Sequence, residues 1–167
     1  MAEESANQQS NEQNQQTQFV IQKIYVKDIS FETPNSPQVF TQEWKPEVNL
    51  QLSNENKRIA ENVYEVILSL TVTAKLGDQT AFLAEVQQAG IFTLNGYSDQ
   101  NLGPLLSSYC PNILFPFARE VVADLVTKGG FPPLLLAPIN FDALYAQRLK
   151  QQQQQQRQSA EAAEVRH

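Results

Sequence analysis

The sequence predicts an α+β fold: a four-stranded antiparallel sheet with helices packed on one face. Segments that alternate apolar and polar residues at a period of two fill the first half of the foldable chain and read as strands. Apolar residues four apart begin only past Asn101 and read as helix. A Gly77-Asp78 pair between the two clearest alternating runs is a hairpin signal. Strands first and helices after is the order of a sheet with a helical layer on one side.

The first strand is predicted over Phe19–Phe31, "FVIQKIYVKDISF", rich in β-branched and aromatic residues. Its alternation sets Tyr25, Ile29 and Phe31 on one face and Asp28, Ser30 and Glu32 on the other. "TPNSPQVFTQEW" is a proline-punctuated crossing loop carrying Phe40 and Trp44. In "EVNLQLS", Val48, Leu50 and Leu52 turn inward. In "NVYEVILSLTVTAKL", Tyr64, Val66, Leu68, Leu70, Val72 and Leu76 oppose Glu65, Ser69, Thr71, Thr73 and Lys75. The return strand "TAFLAEVQQAGIF" sets Phe82, Ala84 and Val86 against Leu83, Glu85 and Gln87. One sheet face stays uncovered in a monomer. With Leu83, Ile67, Ile29 and Phe31 assigned to it, burial by a second, symmetric subunit is expected.

Helical spacing follows in "NLGPLLSSYC" and "PNILFPFAREVVADLVTKGG". Ile113, Phe117, Val121 and Leu125 form the predicted stripe, widened by Leu114, Ala118 and Val122, with a kink or new turn at Pro116. Gly129-Gly130 stops the helix. Asn140 caps a last helix whose apolar positions are Phe141, Leu144, Tyr145 and Leu149.

At 167 residues with net charge −6, one domain is the natural count. Residues 1–18 are predicted to be a disordered tail, 19–149 the folded domain, and 150–167 a Gln-rich, largely disordered tail whose glutamines can extend the last helix a few turns. No secretory leader is visible, since the first basic residue is Lys23. The apolar runs "NILFPFA" and "LLLAPI" fall far short of the roughly 20 residues a membrane span needs. The lone Cys110 suits a reducing compartment, so a cytoplasmic protein without membrane insertion is expected. Its acidic balance speaks against nucleic acid as a partner.

The residues for catalysis are missing. His167 is the single histidine and the last residue, and Cys110 has no histidine partner. No metal-ligand spacing and no phosphate-binding glycine loop occur, so no catalytic residue, metal or cofactor is predicted. Asp28, Glu32 and Glu85 read either as a solvated face or as an acidic docking surface for a basic partner. The aromatic residues Phe31, Phe40, Trp44, Phe131 and Phe141 read either as core or as groove. "GGFPPLLLAPINF", Gly129–Phe141, favours the groove: a proline-stiffened apolar loop cannot join the sheet, yet it can form a wall for apolar side chains.

Six segments, "IYVKDISFETPNSP", "QEWKPEVNL", "VYEVILSLTVTA", "AFLAEVQQAGIF", "YCPNILFPFARE" and "FPPLLLAPINFDALY", resemble in order the SecB protein-export chaperones. The resemblance spans the whole foldable part. It implies an α+β subunit assembled as a homotetramer, a dimer of dimers, with helices packed between the sheets. It also implies an ATP-independent holdase that binds unfolded precursor proteins, keeps them translocation-competent and delivers them to the SecA motor. The matched motifs place motor binding at Asp28, Glu32, Leu83 and Glu85. They place the unfolded-peptide groove at Phe31, Phe40, Trp44, Phe131, Leu134, Leu136 and Phe141. Two other classes stand beside it: a small-molecule enzyme using a carboxylate base, and an adaptor that binds only folded partners.

Overall fold

A computed structural model of the chain describes residues 16–164. Strands β1 (Gln18–Glu32), β2 (Glu47–Ala60), β3 (Val63–Leu76) and β4 (Gln79–Asn95) form one antiparallel sheet in the spatial order β1-β4-β3-β2. The four-stranded α+β architecture is as the alternation predicts. Gly77 turns β3 into β4 with φ of 59°, a left-handed conformation that glycine adopts without steric cost. β2 runs well past the predicted "EVNLQLS". Its polar second half carries no apolar signal and is held by ladder pairing, from Asn54 opposite Leu68 to Arg58 opposite Tyr64.

Residues paired across an antiparallel ladder share a face, so the register sorts every side chain. On one face lie Val66, Leu68, Leu70 and Val72 of β3 with Phe82, Ala84, Val86 and Phe92 of β4, all fully buried. The helical layer covers these central strands. It comprises a short helix α1 (Asp99–Pro104), a π-helical turn (Leu105–Tyr109) and helix α2 (Cys110–Lys128), with α3 (Phe141–Glu164) following the apolar loop.

Two strand assignments need correction. β1 carries register shifts between Ile21 and Lys23 and between Val26 and Asp28. An extra residue at such a bulge inverts the alternation. Tyr25 therefore pairs with Ala89 on the open face, not with Ile29 and Phe31. Those two pair with Val86 and Ala84 and so belong to the helix-side face, not to the open one. Leu83 and Ile67 do lie on the open face.

The helix stripe is also shifted. The buried row of α2 is Cys110, Leu114, Ala118, Val122 and Val126, while Ile113, Val121 and Leu125 are half-buried and Phe117 is exposed. The expected widening row is thus the true core row. Each fully buried Val or Leu there is worth about 1.5–3 kcal/mol of transfer free energy. Pro116 lies inside α2 without ending it. The irregularity falls earlier, in the π-helical turn, where the Cys110 N–H donates to the Leu105 carbonyl. The same spacing would send the N–H of residue 111 to Leu106, but that residue is proline and has none. The Asn54 side-chain amide donates to the Leu106 carbonyl instead, at 3.3 Å, tying β2 to the turn.

In α3 only Phe141 enters the core; Tyr145 is half-buried, and Leu144 and Leu149 are exposed. Asn140 caps it as predicted, its side-chain oxygen accepting from Ala143 N–H at 3.0 Å. Helix continues through Gln151–Gln156 to Glu164, where the sequence predicts a tail largely without order from residue 150. Gln, Ala and Glu are all good helix formers, so a capped helix propagates through them at little cost. The predicted N-terminal tail lies outside the described residues up to residue 15.

Candidate functional site

Two regions collect the predicted functional residues, one at each face of the sheet. The first is an aromatic corner. α2 ends in a Schellman arrangement: Phe131 N–H donates to Val126 O at 3.2 Å, Gly130 N–H donates to Thr127 O at 3.1 Å, and Gly130 takes φ of 87°. This reversal delivers Phe131 against Phe82 of β4, with ring centroids 5.1 Å apart. The crossing loop arrives from the other side, held to the start of β4 by Asn35, whose amide donates to Thr80 O at 2.9 Å. A 3₁₀ turn over Gln38–Thr41 buries Val39 and leaves Phe40 half-exposed. Phe40 and Trp44 then stand 5.1 and 5.2 Å from the Phe131 ring. Phe31 stacks on Phe82 at 5.8 Å. The centroid separations are those of attractive aromatic pairs.

The structure therefore brings Phe31, Phe40, Trp44 and Phe131 together around Phe82. Sequence alternation assigns Phe82 correctly to the helix-side face, but nothing local to it shows that two loops converge there. Phe141 is not part of this corner. It is buried against Phe115, with centroids 5.9 Å apart, near Leu52 and Tyr145. In the apolar loop, Leu136 is buried and Leu134 half-buried, while Leu135 is 77% exposed. Leu136 and Phe141 are thus closed off within the subunit, because each fills the core cluster beneath the helices. Leu135, absent from the predicted groove, is the leucine that faces water.

The second region is the open face. Glu32 pairs directly with Leu83, Ser30 with Glu85, and Asp28 with Gln87. All four predicted docking residues thus share one face and neighbouring rungs. The Ser30 hydroxyl donates to Glu85 at 3.3 Å, which leaves that carboxylate exposed. Further along the same face sits Glu65, buried at 7% exposure. It accepts from Lys27 Nζ at 2.8 Å and from the Tyr25 hydroxyl, with Lys57 Nζ 4.0 Å away. The hydrogen bonds from Lys27 and then Tyr25 hold its carboxyl below the usual range. Burial, with the bonded Glu65 charge beside it, pushes Tyr25 up to about 12.

These environments bear on catalysis. A general base working near neutrality needs a carboxyl pushed upward. Glu65, the one buried carboxylate among the described residues, is pulled the other way. Burial drives the Cys110 thiol up to about 12, which leaves it an unreactive thiol.

Known proteins resemble this chain in sequence and in fold. The family model described as preprotein translocase subunit SecB matches residues 12–152. The chain belongs to the SecB family. The protein-export protein SecB of Nitrosococcus oceani is 80% identical over the full length of both chains. That of Methylococcus capsulatus is 61% identical, over 86% of this chain and 94% of its own. Among solved structures, a SecB-like chaperone of Mycobacterium tuberculosis, in complex with a peptide from an antitoxin, superposes with a TM-score of 0.62. It is 17% identical, and the match covers 72% of this chain and 90% of that one. SecB proteins are protein-export chaperones, so the function expected from the sequence motifs is the one the family carries.

Proposed function

We propose that this chain is an ATP-independent holdase that takes unfolded precursors at the aromatic corner and hands them to SecA from the acidic open face. The observation that carries the reading is the corner itself. Phe40, 49% exposed, and half-buried Trp44 are held rigidly over buried Phe131 and Phe82, so apolar area is offered without collapse. An extended chain of any sequence can bury side chains there, which makes selectivity low. Binding the unfolded form alone withdraws it from the folding equilibrium by mass action. Delivery to the motor then rests on Asp28, Glu32, Leu83 and Glu85, whose charge suits a basic partner.

Self-association as a dimer of dimers in the cytoplasm completes the reading. Exposed Phe117 on α2 and exposed Val20, Ile21 and Val26 on edge strand β1 support it, because apolar surface of this kind favours burial by another copy. No helix among the described residues is long and apolar enough to cross a membrane.

The test mixes the protein with a chemically unfolded chain and, separately, with its folded form. Delayed refolding and suppressed aggregation are expected for the first and no complex for the second; an unchanged refolding rate removes the holdase reading. Leu134→Asp with Leu135→Asp should weaken capture while leaving the fold intact, since neither side chain is fully buried.

A further inference from the structure

Carboxylates Asp28, Glu32 and Glu85 occupy the rungs toward the C-terminal end of β1, while Lys27 and Lys57 converge on Glu65. Lys27 is the residue left over where β1 slips register between Val26 and Asp28, so it immediately precedes a docking carboxylate. Its ammonium nevertheless turns away from Asp28 and reaches over β4 to Glu65 on β3. The crossing passes Ala89, which is directly opposite both Tyr25 and Ile67 and fully buried. A small side chain at that rung leaves room for both the Tyr25 hydroxyl and the Lys27 ammonium to meet one carboxylate.

We propose that Glu65 is a positioning residue for the docking face: by holding Lys27 it keeps that charge off Asp28, Glu32 and Glu85. The inference rests on the reading of this face as the SecA surface and deepens it. Without the carboxylate, the Lys27 ammonium stands free on the same face. Lys27 lies next to Asp28 in the chain, within the screening length of about 8 Å at physiological salt. A basic partner then meets a face whose negative potential is partly cancelled, and association suffers more than the fold does. Glu65 itself is too buried to touch the partner, so its action is through Lys27.

The experiment titrates purified SecA against the full chain and four variants, with client capture measured in parallel. Glu65→Gln should weaken SecA binding roughly threefold to fivefold at low salt, the range expected of exposed charge pairs, and leave capture of an unfolded chain unchanged. Adding Lys27→Met to Glu65→Gln should restore most of the lost affinity, a coupling that a merely structural role does not produce. The single variant Lys27→Met should stay within about twofold of wild type, because Glu65 already cancels that charge. It keeps the test open should Glu65→Gln fold poorly: tighter SecA binding by Lys27→Met alone would show that the cation already acts on the partner, and would overturn the inference. Loss of affinity that Lys27→Met does not rescue would overturn it too. Glu85→Lys separates the two readings. If Glu85→Lys weakens binding while Glu65→Gln is silent, the positioning role falls and the docking face stands; if neither variant changes binding, both fall.

Discussion

The two faces of this sheet are made by the same four strands and obey opposite rules. On the helix side, β3 and β4 present a largely apolar surface, broken by buried Gln88, that is sealed by Leu114, Ala118, Val122 and Val126 of α2. On the open side they present Glu65, Ser69, Thr71, Glu85 and Gln87, and the sole deeply buried charge there among the described residues is neutralised within the sheet. One face stores stability and the other displays charge. The aromatic corner stands where the first kind of surface escapes its cover, because the crossing loop and the loop after α2 leave Phe40 and Trp44 only partly enclosed. The contrast shows how a single layer can gather aromatic side chains on one side and keep its carboxylates free on the other.

The largest effect should come from breaking the sealed side. Phe82→Ala removes the ring on which Phe31, Trp44 and Phe131 all pack and should cost about 3–5 kcal/mol, read from the urea midpoint. Client capture should fall with it. A wild-type midpoint would mean that the corner contributes nothing to the core.

Gly129→Ala tests the same corner by crowding. A methyl group at Gly129 would sit 2.3 Å from Phe31 Cζ, so that ring must shift against Phe82. Overpacking of this kind costs about 1–3 kcal/mol. Loss of capture beyond the loss of stability would place Phe31 in the client surface; equal losses would leave it in the core alone.

Glu85→Lys or Leu83→Arg acts on the other face and should leave the urea midpoint near wild type, since both side chains lie on the open side. SecA affinity should drop roughly tenfold, the scale of placing a like charge in an electrostatically matched interface. Unchanged affinity would detach these residues from docking.

The smallest effect concerns acid. Glu65 in the folded chain holds its proton more weakly than the usual value of 4.5. Its contribution is therefore complete above that value and is lost as the pH falls through the lowered folded one. Glu65→Gln lacks this term, so the gap in melting temperature between it and wild type should narrow on acidification below 4.5. A gap that widens would mean that the Lys27 and Tyr25 bonds do not stabilise the ionised form.

Much of this was legible in the residues themselves. The alternation of Val66, Leu68, Leu70 and Val72 against Glu65, Ser69, Thr71 and Thr73 sets the faces of β3, because side chains in a strand must alternate. Gly77 and Gly129-Gly130 mark their turn and stop by backbone conformation, and Asn140 marks its cap by a side-chain hydrogen bond. Motif similarity proposes Asp28, Glu32, Leu83 and Glu85 for docking, and the register sets them on neighbouring rungs.

What the sequence could not decide was whatever depends on residues far apart in the chain. A single extra residue at Lys27 turns Tyr25 to the opposite face, and an alternation count has no means to see the slip. The choice of Leu114, Ala118, Val122 and Val126 over Ile113, Phe117 and Val121 as the buried row of α2 was made by how the helix rolls onto β3 and β4. The convergence of two loops on Phe82 and of Lys27 and Lys57 on Glu65 was likewise fixed only by folding. Local spacing determines which residues can share a face; packing between distant segments decides which of those faces meet.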